Sequence, residues 1–526
     1  MQPTAVELEV FRHLFAALAE EMGAALKRAA FSPNIKERRD YSCALFGPNG
    51  AAVSMGDHMP VHLGAMPMSV AAALAALGPL DSGDVACLND PFHGGTHLPD
   101  ITLIAGVHTP DGTLLGYVAS RAHHSDVGGS TPGSMPLATE IFEEGLRIPP
   151  VRLYRHGQRN EDLWSMVLAN VRTPTERAGD LDAQMAALNT GSGRLLEIAQ
   201  RRGVLETLEA MGALIAYADR LVTAGLELIP DGSYRARDYL EDDGFGTGPI
   251  PIEVSLTVDG STLTIDFEGS SPQVPGGVNA VAAITSSAVR YVVRCVVEAL
   301  LSEELPAGGG SMSAVTLVLP PASIVDARPP AAVAAGNVET SQRITDVLFL
   351  ALGEALPDLI PALSQGTMNN TTVGGTDPHT GQPFAYYETV GGGMGAGPTG
   401  EGLSGVHVHM SNSLNTPVEA LEHAYPLRVT HYGIRRGSGG AGRHRGGDGL
   451  RRDLQILAPG RVALLSERRV TPPTGAAGGE AGSLGANVLI RGGVEEPLPA
   501  KATFSVNAGD VVSIRSPGGG GWGTPD

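Results

Sequence analysis

The hydrophobic pattern opens at helical spacing. Phe11, Leu14, Phe15, Leu18, Met22 and Leu26 recur at three- and four-residue intervals behind a Thr4/Glu7 pair with capping-box spacing. They predict a helix that Ser32-Pro33 ends. Two short apolar runs, 41–46 and 51–55, flank Gly47-Pro48-Asn49-Gly50 and predict a hairpin. An alanine- and leucine-rich helix is expected through Leu77, then a short strand over 84–88. The runs 101–107 and 113–120, joined by the turn tetrapeptide at 109–112, predict a second hairpin. Three helical stretches follow over 161–226, and from Gly232 the period changes to two, with alternating residues around Asp259-Gly260 marking another hairpin. Helices are expected over about 282–302 and from AAGNVETSQR (334–343), separated by a Gly/Pro-rich passage at 306–330. Beyond about Pro361, strands and long glycine-rich loops dominate. The expected fold is mixed α/β (α+β), multi-layered and hairpin-rich, helical in its N-terminal and middle part and strand-dominated in its glycine-rich C-terminal part. Its expected domains are 1–230, 231–360 and 361–526.

Composition narrows the function classes. A chain of 526 residues is long for one core, and 36 basic against 56 acidic residues give a formal charge of -20. That balance argues against nucleic acid or an anionic membrane surface as partner. Neither a charged-then-apolar leader after Met1 nor a run judged long enough to span a bilayer is read here. Three widely spaced cysteines, Cys43, Cys87 and Cys295, form neither a CxxC nor an even framework, so a reducing cytoplasm is the expected location. Seventy glycines supply tight turns and, in the C-terminal part, backbone N–H groups suited to carboxylate or phosphate oxygens. No GxxxxGK[ST] occurs, and no dinucleotide-binding glycine fingerprint sits between a clear strand and helix, so the chain is not expected to carry a nucleotide site itself.

Candidate chemistry concentrates in residues 89–129. Five histidines (93, 97, 108, 123, 124) and four aspartates (90, 100, 111, 126) fall there within roughly forty residues. If the second hairpin forms, His97 and Asp100 before its first strand lie beside His123, His124 and Asp126 after its second. Imidazole nitrogen with a hard carboxylate oxygen suits Zn²⁺, Mn²⁺ or Fe²⁺. Glu144, in TEIFEEGLRIPP, is a candidate to orient a ligating imidazole or add a ligand. His58 and His62 could reach the same pocket. Arg38 and Asp40 sit in a crowded charged loop that composition alone reads as solvated ion pairs. Asn337 and Glu339 are polar pocket candidates, and Arg172 precedes a threonine-proline step that could turn it inward.

Several of these segments carry a resemblance. SPNIKERRDYSCALF, HMPVHLGAMP, NDPFHGGTHLPD, RAHHSDVGG, EIFEEGLRIPP, AAGNVETSQR, SQGTMNN, GSGGAGRHRGGDGL and SPGGGGWG, in that order, closely resemble the hydantoinase B/oxoprolinase family. The family comprises B subunits of ATP-dependent hydantoinases, 5-oxoprolinases and caprolactamase, with the related large subunits of acetone and acetophenone carboxylases. The resemblance implies a B subunit of a hetero-oligomeric cyclic-amide hydrolase acting on a small molecule such as a hydantoin or 5-oxoproline. A partner A-type ATPase subunit would use ATP to phosphorylate the ring carbonyl. A divalent metal in this chain would then generate hydroxide to open the activated ring. The ligands expected are His97, Asp100 and His123, with His124 and Asp126 as alternate ligands or catalytic acid/base groups and Glu144 as a further catalytic group. Arg38, Asp40, His62, Asn337 and Glu339 are expected to face substrate. Three other readings remain: a ketone carboxylase large subunit, a non-catalytic scaffold, and a stand-alone metallohydrolase needing no ATP. The carboxylase large subunits are longer than this chain, which favours the hydrolase branch.

Overall fold

The computed structural model describes residues 3–308 and 310–525; Met1, where a leader would start, lies outside them. Its first layer is helix α1 (Ala5–Ala29), capped by the Thr4/Glu7 box. Ser32 does not simply end that helix: its side chain caps a single turn, α2 (Pro33–Lys36), which carries Asn34. A seven-stranded antiparallel sheet follows, made of β1 (Tyr41–Phe46), β2 (Ala52–Met55), β3 (Val85–Leu88), β4 (Asp100–His108), β5 (Leu114–His123), β6 (Val151–Arg155) and β7 (Gln158–Arg159). Its order is β2-β1-β5-β4-β3-β6-β7.

Both faces of this sheet are covered, which is why its strands read as unbroken apolar runs rather than alternating ones. Cys43 and Leu45 point into the large core shared with α1 and α5 (Pro174–Arg202). Their neighbours Ala44 and Phe46 point the other way, onto Met66, Val70 and Ala73 of α3 (Ala65–Leu77). The stretch Pro60–Leu77 is apolar enough by composition to cross a membrane, with a mean hydropathy of 1.5, contrary to the reading of the bare sequence. Here it forms a short 3₁₀ turn followed by α3, whose 13 residues rise only about 20 Å, and α3 packs on the sheet.

Helices α4 (Glu161–Ala169), α5 and α6 (Val204–Leu226) fill the predicted helical stretch. The middle sheet, ordered β11-β10-β9-β8, contains β8 (Gly232–Leu240), β9 (Ile250–Asp259), β10 (Thr262–Asp266) and β11 (Val315–Val318). Alternate residues of β9 are buried, and α8 (Ser341–Ala355) packs against it, next to α7 (Ala282–Leu301). One hydrophobic core runs from Phe11 to Leu465, across residue 230.

The C-terminal part holds two antiparallel sheets whose inward residues share a second core. The first contains β12 (Asn370–Thr376), β13 (Pro383–Glu388), β16 (Gly460–Leu465) and β19 (Lys501–Val506). The second contains β14 (Leu427–Arg435), β15 (Gly449–Ile456), β17 (Ala486–Arg491), β18 (Val494–Leu498) and β20 (Val511–Arg515), with α9 (Val418–Ala424) beside β14. Around them the glycines pack backbone against backbone. A Cβ on Gly519 would fall 2.1 Å from Met394 O, and one on Gly521 2.1 Å from Ala441 O. The N–H groups of Gly519, Gly520 and Gly521 donate to the carbonyls of Gly447, Leu363 and Glu480. Those donors are therefore committed to backbone partners, and the glycine-rich tail is a packing device rather than the anion cradle its composition suggested.

Candidate metal centre

The site is built where the central hairpin ends. Asp100 and His123 are direct cross-strand partners at the open end of β4 and β5. His97 arrives from the loop before β4, whose path its sequence fixes. The Asp90 side chain accepts from Phe92 N at 3.0 Å, capping a 3₁₀ turn at Pro91–His93. Gly94 then leaves at φ +85°, where a Cβ would lie 2.5 Å from Met68 O, so glycine is required on both counts. Asn89 staples the loop, donating to Leu98 O and Leu146 O at 2.7 and 2.9 Å and accepting from Ile148 N at 2.6 Å.

Three ligating atoms converge as a result. His97 Nε2 lies 3.2 Å from His123 Nδ1 and 3.2 Å from Asp100 Oδ1, and His123 Nδ1 lies 3.3 Å from that same oxygen. All three residues are buried. Donor atoms bound at about 2.0–2.2 Å to one ion sit about 3–3.5 Å from each other, so this triangle has the spacing of adjacent metal ligands. Two polar atoms beside it, His123 Nε2 and Asn337 Oδ1, are buried without a protein partner. These observations make the donor set a fit for a divalent ion. Burial alone would raise the Asp100 carboxyl, but His97 and the hydrogen bonds of His123 and His62 hold it well below the usual carboxylate range. Burial pushes the imidazoles of His123 and His62 down, toward the neutral form that ligates.

The surroundings fix these groups. His62 Nε2 lies 3.3 Å from Asp100 Oδ2, and its Nδ1 is 2.8 Å from Ser42 Oγ. Thr96 Oγ1 donates to Asp100 Oδ2 at 2.6 Å. Asn34 Nδ2 donates to His123 O at 2.6 Å, and His123 N donates to Asp40 O at 3.0 Å. Tyr387 stacks on the His123 ring, centroids 4.3 Å apart. Arg38 is fully buried over the Tyr387 ring, donates to Thr389 Oγ1 at 2.5 Å and lies 3.8 Å from Asp40 Oδ2. Asp40, His62, Asp100, His123 and Asn337 line one small cavity, closed by Met59, Tyr387 and Ser413. About 10 Å³ of it is open to the centre of a water-sized sphere, room for about one water.

The structure keeps three expected acid/base groups out of this cavity. Successive strand residues face opposite ways, so only one of the pair His123-His124 can reach the cluster. His124 points instead into the apolar space under α5, bonds Gln184 Oε1 at 2.9 Å, and is pushed down to about 4 by burial and Arg177. Asp126 accepts from Arg172 N and Nη1 at 2.7 and 2.8 Å, which also uses the arginine expected to turn inward. Glu144 accepts from Val333 N and Ala334 N at 2.8 and 2.9 Å, and burial pushes its carboxyl up to about 8. It reaches the cluster only indirectly, since Ala334 O lies 3.3 Å from His97 Nδ1. Glu339 likewise stands behind the site, accepting from Met368 N and Asn370 Nδ2 at 3.0 and 2.8 Å, with burial raising it to about 7. His58 packs at a tilt against Tyr41, ring planes 55° apart, and lines a different cavity from the cluster's.

Asn34, Ser42, Thr96, Tyr387, Thr389 and Ser413 were not singled out from sequence. The first three lie inside segments already quoted, so the signal was present. Tyr387 comes from a strand far along the chain, and nothing local marks it.

A sequence model of the hydantoinase B/oxoprolinase family matches residues 4–525. The chain belongs to that family. This family member is 38% identical, over 99% of its length, to an uncharacterised protein of Methanocaldococcus jannaschii, of which it covers 91%. It is 39% identical, again over 99% of its length, to 5-oxoprolinase 1 of Arabidopsis thaliana, of which it covers 42%. It thus spans about two fifths of the length of the eukaryotic 5-oxoprolinases it matches. Among solved structures, ATP-dependent caprolactamase from Pseudomonas jessenii matches with a TM-score of 0.90 at 29% identity, over 99% of this chain and 91% of that one. Acetone carboxylase shares the fold, with a TM-score of 0.87 at 19% identity over 98% of this chain and 75% of that one.

Proposed function

We propose that this chain is the metal-bearing, B-type component of an ATP-dependent cyclic-amide hydrolase. The observation that carries the reading is the buried triangle of His97 Nε2, Asp100 Oδ1 and His123 Nδ1, each pair 3.2–3.3 Å apart, facing a closed polar cavity. Its family membership and its likeness to a caprolactamase and to 5-oxoprolinases support the reaction class.

An unstrained cyclic amide is a poor electrophile, so opening it needs activation. In this reading a separate A-type subunit spends ATP to phosphorylate the ring carbonyl oxygen, consistent with the lack of a phosphate-binding loop motif in this sequence. His97, Asp100 and His123 would hold a divalent ion, which would supply Lewis acidity and activate water for attack. The chain's own groups do the rest. The cavity excludes bulk water and has room for about one oriented water. Asp40, the cavity's other carboxylate, takes the proton-handling place that His124, Asp126 and Glu144 were expected to fill. Arg38, 3.8 Å from it, supplies a neighbouring positive charge. His62 and Thr96 fix Asp100 from behind, and Tyr387 fixes the plane of His123.

The test is an assay of the chain alone and with its A-type partner, with and without ATP, on cyclic amides. Ring opening only with partner and ATP supports the reading. Opening by the chain alone makes it a stand-alone metallohydrolase, and a purified complex without stoichiometric metal makes it a scaffold.

A further inference from the structure

A line of buried hydroxyls starts at the cavity wall. Thr389 and Ser413 line the cavity together with Asp40. Thr389 Oγ1 lies 3.4 Å from Ser413 Oγ, which lies 3.3 Å from Ser411 Oγ. That last hydroxyl lies 3.0 Å from His407 Nδ1. Thr389 stands just past the end of β13, and the other three residues come from one loop at 407–413.

The direction of the line is fixed at its inner end. Arg38 Nη2 donates to Thr389 Oγ1 at 2.5 Å and to Ser413 Oγ at 3.4 Å. A guanidinium has donors only, so both oxygens accept from Arg38 and turn their own hydrogens onward. Thr389 then donates to Ser413, Ser413 to Ser411, and Ser411 to His407 Nδ1. By elimination His407 carries its hydrogen on Nε2, an atom buried without a protein partner. Burial, and then the Arg38 charge, push this imidazole down to about 3, which keeps it neutral and its Nδ1 lone pair free to accept. The residue as a whole is only half-buried, and Glu401, Leu403 and Ser404, just before it in the chain, are exposed. The outer end of the line is thus close to solvent.

A closed cavity with room for about one water gives a proton no aqueous way out. We propose that Thr389, Ser413, Ser411 and His407 form a proton relay between the cavity and solvent, with His407 as its outer station. This rests on the hydrolase reading above. The water that attacks the ring loses a proton to Asp40, and the relay returns Asp40 to its ionised form. At every hydroxyl one O–H bond breaks as another forms. Nδ1 gains a proton as Nε2 releases its own, so one proton crosses, no electrons move, and the ring ends neutral. The nitrogen freed by ring opening needs a proton in its turn. The same line run inward supplies it from solvent and restores every hydrogen to its starting place.

The experiment is ring opening in a single turnover of the complex with its A-type partner, ATP and metal, in H₂O and in D₂O. Positioned proton transfer contributes about 10²–10⁴-fold, so His407→Ala, His407→Gln and Ser411→Ala are each expected to slow ring opening by at least about tenfold. Each should raise the solvent isotope effect and leave affinity for Zn²⁺ alone within about twofold of wild type. Ser411→Thr keeps a hydroxyl and is expected to keep the wild-type rate. Added imidazole should restore H407A in proportion to its concentration. Glutamine accepts from Ser411 but has no second ring nitrogen to release a proton, so H407Q separates relay from scaffold. H407Q at the wild-type rate overturns the relay and marks a structural hydrogen bond, and S411A at the wild-type rate overturns it as well. If H407A and S411A do not fold, H407Q decides alone by its rate and isotope effect. A wild-type complex that opens no cyclic amide overturns the hydrolase reading, and the relay with it; an active wild type with unaffected variants overturns the relay only.

Discussion

At the residue scale the account turns on which atoms face the cavity. His123→Ala removes one corner of the donor triangle and is expected to abolish ring opening. ATP turnover on the partner should survive at least in part, since phosphorylation occurs at a different site; parallel product and phosphate assays check this. His62→Ala removes the imidazole 3.3 Å from Asp100 Oδ2, and loss of such an outer partner costs about 10–100-fold in metal affinity. Titration with Zn²⁺ or Mn²⁺ reads that directly. The sequence made the triangle legible because His97, Asp100 and His123 lie at the ends of one recognisable hairpin. It did not separate His123 from His124, since choosing between adjacent histidines needs the strand's facing, and a one-residue shift in register reverses it. Asp126 and Glu144 lie outside the cavity for a related reason. Their partners, Arg172 and the Val333–Ala334 amides, come from elements whose approach no local pattern foretells.

At the element scale, loops rather than strands set the geometry. The central hairpin was readable from two apolar runs and a turn, and its register places Asp100 opposite His123. The loop carrying His97 and the π-helical turn Gly336–Thr340, which carries Asn337, depend instead on single glycines. Gly94→Ala forces a side chain into left-handed backbone and against Met68 O, at a cost of about 1–3 kcal/mol. Gly336→Ala overpacks against Asn279 O, with a cost of at least that order. Denaturant midpoints should fall for both, and metal affinity should fall further than for an equally destabilising change in the distant sheet of β17 and β18. The β6–β7 hairpin went unread because β7 has only two residues.

At the scale of the whole molecule, a buried ionic network joins the middle sheet to the C-terminal part. Asp238 of β8 accepts from Arg343 Nη1 at 2.7 Å and from Arg468 Nη2 at 3.0 Å; Arg468 also bonds Asp346, and Lys501 meets Glu467 at 2.5 Å. Burial works to raise Asp238, but Arg343 and Arg468 outweigh it and hold the carboxyl at about 2. A carboxyl near 3.9 in the unfolded chain thus binds protons more readily than the folded one. Its stabilising share is full above about pH 4 and is lost as pH falls through about 2. Urea midpoints measured from pH 5 to pH 2 should fall, and Asp238→Asn should flatten part of that slope. An unchanged slope in D238N would contradict the linkage. The proposed A-type partner is expected to bury more than about 2,000 Å², as obligate interfaces do. The ionic network was not legible beforehand, because charged residues scattered over four segments read as surface until the fold buries them together.

The most direct test of the central claim is product analysis on the complex of this chain with its A-type partner, metal-stripped and then reloaded, with ATP present or omitted. The account predicts that a cyclic amide opens only when ATP and reloaded metal are both supplied, and that stripped complex still turns over some ATP. Labelled acid formed from a ketone and labelled bicarbonate, with no cyclic amide opened under any condition, would contradict it.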